Sequence, residues 1–425
     1  MRMSGMRWPS CATCWKPAPG TWTRSSSAPR SPDREPGDSM ASKNTARVYW
    51  AAALRRLKRL RGQETDPYLP LPSGTVLSPY PGHKHDIDRA EPRLASSRHE
   101  TLDAKAWQRE ARQKLAELMG WPFTRPPVTL TRAMDWVEVA PGVKRRAFYL
   151  RVRPETDIAV HLLWKDGLAE ELAGLAPVYL HLAGSTSGAH VAWGEAKLPI
   201  DYQRLGLGAD MALQAVEKGY LAAAVEQLGF GEREERTLKP RSPHRLTDAA
   251  NHALLLGRTL MGEKCWDLSA TIDWLLTTDA LPVAIDPARI NLFGHSSGGS
   301  NAFFAAALDD RIAGVLCSGS IGRFRDTIGG RRAEGGELVI PGLINWLEAE
   351  DIAALIAPRP FVGLSGSADH IFPFAGVEEV VNAARPFYER LGAAEHINAV
   401  RTEGPHRYYP PESWDAWEKW IDLKG

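Results

Sequence analysis

The sequence predicts an α/β fold in which a mostly parallel sheet of about eight strands carries helices on both faces. From about residue 128, short apolar segments alternate with longer segments of helical periodicity. Some short segments are apolar throughout, such as LAAAV (221–225), which is typical of strands buried on both faces of a parallel sheet. The first segments instead alternate at period two around the turn APG (140–142), which predicts an antiparallel entry hairpin.

The chain before this pattern has a different composition. Residues 1–45 are rich in Ser, Pro and Gly and have no periodicity, which predicts a disordered tail. Residues 46–62 predict a short basic amphipathic helix, and the proline-rich residues 63–98 are expected to be extended. Residues 101–120 have apolar side chains near helical spacing and stop at a glycine, which predicts a helix packed on the main domain. We therefore predict three parts, 1–45, 46–127 and a main domain at 128–425.

The elements of the main domain are expected to follow one another as alternating strands and helices, without internal repeats. A hairpin occupies 128–153. The expected strands that follow it are 159–164, 177–184, 221–227, 289–294, 312–319, 360–366 and 397–404. The expected helices are 208–220, one or two within 249–277, 297–309, 350–358, 378–392 and 413–423.

Composition excludes several classes of protein. The chain has 52 Lys and Arg against 51 Asp and Glu, a formal net charge of +1, so no basic surface for nucleic acid is predicted. Apolar runs such as AFFAAAL (302–308) are far shorter than the ~20 residues of a membrane-spanning helix. No apolar secretory signal is visible, so we expect a cytoplasmic protein, with organelle targeting by the basic N-terminal segment as a weaker alternative. The oligomeric state stays open.

The four cysteines suggest no cofactor. Cys11 and Cys14 form a CxxC pair in the tail without a second ligand pair nearby, and HKHD (83–86) also has no partner cluster. Cys265 and Cys317 lie in apolar surroundings and are expected to be buried thiols. We predict neither a metal nor an organic cofactor.

A segment of glycines and serines, NLFGHSSGGS (291–300), directly follows an expected strand and precedes an expected helix. Its spacing Gly294-x-Ser296-x-Gly298 matches the nucleophile elbow G-x-S-x-G, a sharp strand-to-helix turn that exposes a serine hydroxyl. The flanking glycines are needed because neighbouring backbone comes close to this turn. The context therefore predicts Ser296 as a nucleophile.

A serine hydroxyl needs a base to become a nucleophile. In this architecture the chain order is Ser, then acid, then His. Three histidines follow Ser296, and His406 lies in the loop between the last strand and the last helix. His396 precedes its strand and is expected at the wrong end of the sheet, and His370 lies in a loop that suits the acid better. We therefore predict His406 as the base.

The base needs a carboxylate that orients it. Asp369 lies in LSGSADHIFP, in the loop that leaves the expected strand 360–366. Asp326 is the alternative acid, since some proteins with this order take the acid one strand earlier. Asp369 is the preferred assignment.

Acyl transfer also needs donors for the developing oxyanion. One is expected to be the backbone N–H of Ser297, directly after the nucleophile. The other is expected in the loop AGSTSGAH (183–190), with Gly184 and Ser185 as the candidates.

With these residues in view, residues 128–423 resemble the α/β-hydrolase superfamily, in its branch of dienelactone hydrolase-like and acetyl xylan esterase-like proteins. The resemblance implies Ser296 as nucleophile, Asp369 as acid and His406 as base. Two departures are visible: LAGSTSGAH stands where the family usually has HGHGG, and Ser297 stands where related glucuronoyl methylesterases carry Arg. The segments that carry the resemblance are 226–234, 254–275, 286–312, 351–373 and 403–410.

Other side chains are candidates for the substrate pocket, namely His190, Trp193, Gln227, Arg323 and Trp346. The tryptophans Trp414, Trp417 and Trp420 recur every three residues on the last helix and are expected to pack in the core.

The sequence thus predicts a serine hydrolase that cleaves a small-molecule carboxylic ester, acetyl esters among them, through an acyl-enzyme on Ser296. A peptidase or acyltransferase with the same three residues is one alternative. A non-catalytic binding or receptor protein with the same fold is the other.

Overall fold

A computed structural model describes residues 74–121, 126–168, 174–185, 187–235, 245–330 and 336–421, together with Leu54 and Leu57. The chain divides into two units, Met1–Val76 and Leu77–Gly425, and every element below belongs to the second. In the first unit, Leu54 and Leu57 are helical and exposed. The expected tail 1–45, the CxxC pair and the rest of the basic segment 46–62 lie outside the described residues. The three-part division of the chain stays a prediction.

The strands form one ten-stranded mixed sheet in the order β1-β3-β4-β6-β5-β7-β8-β9-β10, with β2 also paired to β3. The neighbouring pairs β6–β5, β5–β7, β7–β8, β8–β9 and β9–β10 are parallel. The pairs among β1 to β4 and the pair β4–β6 are antiparallel. The strands are β1 Thr129–Ala133, β2 Val137–Ala140, β3 Val143–Arg153, β4 Thr156–Lys165, β5 Ala176–Leu182, β6 Leu221–Val225, β7 Ile285–His295, β8 Gly314–Ser318, β9 Phe361–Gly366 and β10 Ile397–Thr402.

The sheet has ten strands where about eight were expected, because two short strands share one long partner. Strand β3 has eleven residues, pairing with β1 through Phe148–Arg151 and with β2 through Val143–Arg145. Residues 134–136 interrupt what the alternating pattern suggested as one continuous strand. The mixed, mostly parallel architecture expected from the sequence is confirmed.

The helices of the described residues lie mainly between successive strands. They are α1 Pro79–Arg89, α2 Ala104–Met119, α3 Pro199–Leu205, α4 Met211–Glu217, α5 Arg245–Leu255, α6 Leu260–Thr277, α7 Ser297–Leu308, α8 Ala349–Ile356, α9 Phe374–Arg390 and α10 Pro410–Ala416. A wider π-helical turn, Trp417–Ile421, continues α10. None of the helices in the described ranges is long and apolar enough to cross a bilayer.

Helix α1 corrects one expectation. Its residues belong to the proline-rich segment that was expected to be extended. Pro79 occupies the first turn, where a missing N–H costs no hydrogen bond and the fixed φ suits a helix. His83 and His85 therefore lie on a helix rather than in a loop. Helix α2 agrees with the helix predicted at 101–120. The Asp103 side chain caps its N-terminus by accepting from the backbone N–H of Ala106 at 2.8 Å.

Each face of the sheet carries its own apolar core. Along β5, Val178, Leu180 and Leu182 point into the core that includes residues of α2, α6, α7, α8 and α9. Tyr179, between them, points into the core that includes α4 and α10. All seven residues of β5 are buried, which is why this segment is almost entirely apolar rather than alternating; His181 is its one strongly polar side chain.

Trp417 is the first test of this packing, and we expect Trp417→Ala to lower the free energy of unfolding by about 3–5 kcal/mol. The side chain is only 1% exposed. Its ring centroid lies 4.8 Å from that of Tyr179, and its Nε1 donates to the Tyr220 hydroxyl at 3.0 Å. Urea denaturation followed by circular dichroism measures the loss. The half-buried Trp420 on the same segment is the matched control, and equal losses for both alanine variants would contradict the assigned packing.

Candidate active site

The turn between β7 and α7 holds Ser296 in a conformation that is rare for a residue with a side chain. Its φ is 54° and its ψ is −122°. A Cβ at Gly294 would lie 2.2 Å from the carbonyl oxygen of Gly298, and one at Gly298 would lie 2.2 Å from that of Leu182. Both positions therefore require glycine. The strained serine at the carboxyl end of a buried strand has the geometry of a nucleophile elbow.

Ser296, His406 and Asp369 form a continuous chain of hydrogen bonds. The Oγ of Ser296 lies 3.0 Å from Nε2 of His406, and Nδ1 of His406 lies 2.7 Å from Oδ2 of Asp369. Asp369 follows β9 and His406 follows β10, so both stand at the carboxyl ends of strands parallel to β7. With its proton on Nδ1, the imidazole donates to the carboxylate and accepts from the serine hydroxyl.

The Asp369 carboxylate is held in its charged form. Burial acts to raise its pKa, but the hydrogen bond from His406 and those from two backbone N–H groups outweigh burial and lower the pKa below its usual 3.8. The two N–H groups belong to Ile371 and Phe372, and both donate to Oδ1 at 2.8 Å. Because these donors occupy Oδ1, the carboxylate presents Oδ2 to His406 in a fixed orientation.

The alternative acid and the other two histidines stand apart from this chain. Asp326 is exposed, in a turn where its backbone N–H donates to the carbonyl of Arg323. His370 is exposed beside Asp369. The Nδ1 of His396 lies 2.7 Å from the carbonyl oxygen of Pro358, before β10 begins.

The candidate oxyanion donors surround the serine. Ser297 is the first residue of α7, and the first N–H groups of a helix have no partner within it. A Cβ at Gly184 would lie 3.5 Å from the Cβ of Ser296, so the Gly184 backbone lies against the nucleophile. The Gly184 N–H donates to the Tyr408 hydroxyl at 3.3 Å, and the Ser185 carbonyl accepts from Arg204 at 2.6 Å.

His295, between Gly294 and Ser296, contributes a neutral wall that the sequence analysis missed. Its ring centroid lies 4.0 Å from that of Tyr408 and 5.1 Å from that of His406. Burial, together with the nearby imidazole of His406, lowers the pKa of His295 well below its usual 6.5. A neutral ring at this position adds no positive charge beside the candidate base.

A buried ion pair anchors the residue after the nucleophile. The ammonium of Lys264 is fully buried and pairs with the carboxylate of Glu337. The Ser297 hydroxyl donates to the same carboxylate oxygen, Oε1, at 2.5 Å. Burial lowers the pKa of Lys264. Because the pair holds the Ser297 side chain, it anchors the first residue of α7, directly after the candidate nucleophile.

A cavity of about 300 Å³ opens onto the serine. It combines apolar walls with two arginines and one glutamate, and the sequence analysis named none of these three charged residues as pocket residues. The residues that line the cavity are Gly184, Ser185, Ile200, Gln203, Arg204, Leu207, Leu246, His295, Ser296, Ser297, Ser300, Glu337, Leu338, Ile371, Phe372, His406, Arg407 and Tyr408.

The five candidate pocket residues do not line this cavity, which corrects that part of the prediction. His190 is buried, with Nε2 2.9 Å from a carboxylate oxygen of Asp201. Trp193 packs in the apolar core that includes residues of α4. Gln227 is also buried, and its Nε2 donates to the carbonyl of Ala183 at 2.5 Å, which supports the backbone that leads into Gly184. None of these three side chains lines the cavity, and Gln227 holds the start of the candidate oxyanion loop, 183–190.

Arg323 and Trp346 also lie outside the lining of the cavity. Arg323 forms ion pairs with Glu350 at 3.0 Å and Glu379 at 2.6 Å. The ammonium nitrogen of Lys114 lies over the ring of Trp346, 4.4 Å from the ring centroid. Sequence position suggested Arg323 because it follows β8, and Trp346 from its place in LINWLEAED, but the chain between β8 and α8 carries them to ion pairs and packing outside the cavity lining.

The described residues of the site form no cluster that resembles a metal centre. Within the described ranges, no group of three or more His, Cys, Asp and Glu side chains could hold a metal ion. Cys265 and Cys317 are free and buried, as expected from their apolar surroundings.

A parallel sheet with a strained serine after β7 and an aspartate and a histidine after later strands defines the α/β-hydrolase class. The chain belongs to the Abhydrolase family, whose pattern its residues 83–385 match. The resemblance to α/β-hydrolases found in the sequence is therefore confirmed, as is the fold.

Individual relatives share less than a third of their residues with this chain over the aligned part. The Bacillus subtilis protein named "Putative hydrolase YtaP" is 29% identical over 190 residues, which is 44% of this chain and 60% of YtaP. This chain thus spans less than two thirds of that relative's length.

Solved structures share the fold. An acetyl xylan esterase-like structure from Bacteroides fragilis has a TM-score of 0.61 and 20% identity, covering 79% of this chain and 84% of its own. A CE15 glucuronoyl esterase from Teredinibacter turnerae has a TM-score of 0.56 and 18% identity. The match covers 85% of this chain and 96% of the esterase.

The buried Glu226 gives the candidate oxyanion loop an anchor whose charge depends on pH. Its carboxylate accepts from the backbone N–H of Ala189 at 3.0 and 3.2 Å and from that of Glu232 at 3.2 Å. Burial raises the pKa of Glu226 from 4.5 to about 7, although these N–H donors oppose the shift. The folded protein therefore binds this proton more tightly than the unfolded chain does.

It follows that the stability from protonated Glu226 is complete below pH 4.5 and is lost as pH rises through about 7. Over this window we expect the free energy of unfolding of the wild type to fall by up to ~3 kcal/mol relative to that of Glu226→Gln, because glutamine does not titrate. Urea denaturation of both proteins at intervals from pH 4.5 to 8 measures the difference. Parallel stability curves would contradict the assignment.

Proposed function

We propose that this protein is a serine hydrolase that cleaves carboxylic esters through an acyl-enzyme on Ser296. The observation that carries the proposal is the hydrogen-bonded chain from Ser296 through His406 to Asp369 at the mouth of a cavity. Family membership and the elbow geometry support it. The ester-hydrolysing relatives share only the fold with this chain, so they suggest which substrates to test first, acetyl esters among them.

In the first half of the reaction, His406 takes the proton of Ser296 as Oγ attacks the ester carbonyl carbon. The negative charge develops on the carbonyl oxygen, where the N–H of Ser297 and an N–H of Gly184 or Ser185 would stabilise it. The Gly184 N–H would exchange its bond to the Tyr408 hydroxyl for one to the substrate. The tetrahedral intermediate then collapses, the alcohol leaves with the proton from His406, and the acyl group stays on Ser296.

In the second half, His406 takes a proton from water, which attacks the acyl carbon. The intermediate collapses again, Ser296 recovers its proton from His406, and the carboxylic acid is released. Throughout, Asp369 keeps the proton on Nδ1 of His406 and stabilises the imidazolium. The lowered pKa of Asp369 means that its carboxylate is ionised at neutral pH.

The nucleophile is tested with a fluorophosphonate probe, which labels activated serines. We expect labelling of the wild type and of Ser97→Ala, an exposed serine outside the site, and no labelling of Ser296→Ala. Hydrolysis of p-nitrophenyl acetate should fall about 10³-fold or more in Ser296→Ala. Undiminished labelling of Ser296→Ala would exclude this serine. An unlabelled wild type would favour the non-catalytic binding protein, and amide cleavage or acyl transfer faster than ester hydrolysis would favour the other alternative.

The acid is tested by exchanging two aspartates separately. Asp369→Asn should lower kcat about 10³- to 10⁴-fold, because an amide no longer holds the imidazole in the tautomer that accepts the serine proton. Asp326→Asn should leave kcat unchanged, since Asp326 is exposed in its turn. Initial rates with p-nitrophenyl acetate measure both. A large loss of kcat in Asp326→Asn and none in Asp369→Asn would assign the role of the acid to Asp326.

A further inference from the structure

The hydroxyl of Tyr408 lies beside the nucleophile, on the side of the candidate oxyanion loop. It accepts from the backbone N–H of Gly184 at 3.3 Å. The Gly184 backbone itself lies against Ser296, since a Cβ at Gly184 would be 3.5 Å from the Cβ of Ser296. All three residues line the same cavity. The hydroxyl is therefore placed among the candidate oxyanion donors, although it belongs to the loop of the candidate base.

The ring of Tyr408 is held in place by its packing. Tyr408 is only 3% exposed, and its ring centroid lies 4.0 Å from that of His295, the residue directly before the nucleophile. His406 is two residues earlier in the same loop. A donor that is already fixed beside the reacting atoms needs no reorganisation when charge develops, which is what an oxyanion donor requires.

Among the described residues, the proton of this hydroxyl has no acceptor. A tyrosine hydroxyl donates one hydrogen bond and also accepts, and the bond from Gly184 uses only its accepting side. The neighbouring Tyr409 differs, because its hydroxyl donates to the carbonyl of Pro405 at 2.5 Å. Burial raises the pKa of Tyr408 above its usual 10, although the Gly184 N–H and the charge of Arg204 oppose the shift. Tyr408 therefore keeps its proton at neutral pH and can donate a hydrogen bond into the cavity.

We propose that the Tyr408 hydroxyl donates a hydrogen bond to the oxyanion and is a further catalytic residue, beside the N–H groups of Ser297 and Gly184. This inference rests on the proposed function. The hydroxyl oxygen and the Gly184 nitrogen are 3.3 Å apart, so one oxygen atom about 2.8 Å from each fits between them. An oxyanion accepts more strongly than a neutral ester carbonyl, so this bond stabilises mainly the transition state. Tyr408 keeps its proton throughout.

Tyr408→Phe removes the hydroxyl and keeps the ring. We expect kcat and kcat/KM for p-nitrophenyl acetate to fall together by about 10²- to 10³-fold, the range for one oxyanion donor, because the bond forms only in the transition state. The matched control is Tyr388→Phe, which removes an equally buried hydroxyl that donates to the carbonyl of Arg359 at 3.2 Å, outside the cavity lining. Initial rates measure both, with circular dichroism as the check of folding. A loss in Tyr408→Phe no larger than that in the control overturns the inference.

A second replacement separates donation from positioning. A hydroxyl that only positioned the Gly184 backbone would act as an acceptor. Fluorotyrosine in place of Tyr408, with one fluorine next to the hydroxyl, is a stronger donor and a weaker acceptor because fluorine withdraws electrons. We expect its kcat at neutral pH to equal or exceed that of the wild type. A kcat well below the wild-type value assigns Tyr408 a positioning role and overturns donation to the oxyanion.

Inhibition separates this inference from the proposed function. Ser296 would add to a trifluoromethyl ketone to form a charged hemiketal that resembles the tetrahedral intermediate, whereas the matching methyl ketone stays a neutral carbonyl. We expect Tyr408→Phe to bind the trifluoromethyl ketone at least about 10-fold less tightly than the wild type does, and the methyl ketone equally well. An equal loss of affinity for both ketones overturns the inference even where hydrolysis through Ser296 is established. A wild type that resists the fluorophosphonate probe and cleaves no ester would instead contradict the proposed function.

Discussion

The arrangement of the site depends on the close approach of two backbones at the start of α7. A Cβ at Gly298 would lie only 2.2 Å from the carbonyl oxygen of Leu182, at the end of β5. Without side chains at Gly294 and Gly298, the helix can begin directly against the neighbouring strand. That contact forces Ser296 to a positive φ and brings it within reach of both the β5 loop and the later strands. A larger residue at either glycine would push α7 away and separate the serine from its partners.

The parallel sheet extends this local constraint to distant parts of the chain. The carboxyl ends of parallel strands lie at one edge, so loops after β5, β7, β9 and β10 meet there although they are far apart in sequence. Asp369 and His406 reach Ser296 because β8, β9 and β10 follow β7 in order across the sheet. The same principle brings Gly184, after β5, to the other side of the serine. The site is therefore a consequence of strand order combined with one sharp turn.

The limits of the sequence analysis follow from the same physics. Ser296, Asp369 and His406 could be suggested because each directly follows a strand, and a strand's position is encoded in its own apolar residues. Arg204 and Glu337 could not, because they lie on a short helix and a long connection whose approach to the serine depends on packing between distant segments. His190 and Gln227 were assigned to the pocket from their loops, whereas His190 is buried against Asp201 and Gln227 donates to the carbonyl of Ala183. Helix α1 was missed because its prolines fall in its first turn, where they are tolerated.

The Lys264–Glu337 pair explains how the cavity keeps a defined charge. Removing two charges from water is costly, and a buried pair often contributes little net stability. Here the pair has a second effect, because Glu337 also accepts from Ser297 and so fixes the residue that follows the nucleophile. By binding Glu337, Lys264 also neutralises the carboxylate that lines the cavity. Without Lys264, the carboxylate beside Ser297 would be an uncompensated buried charge, which is costly. Anchoring the turn and compensating the carboxylate of the cavity are thus two results of one ion pair.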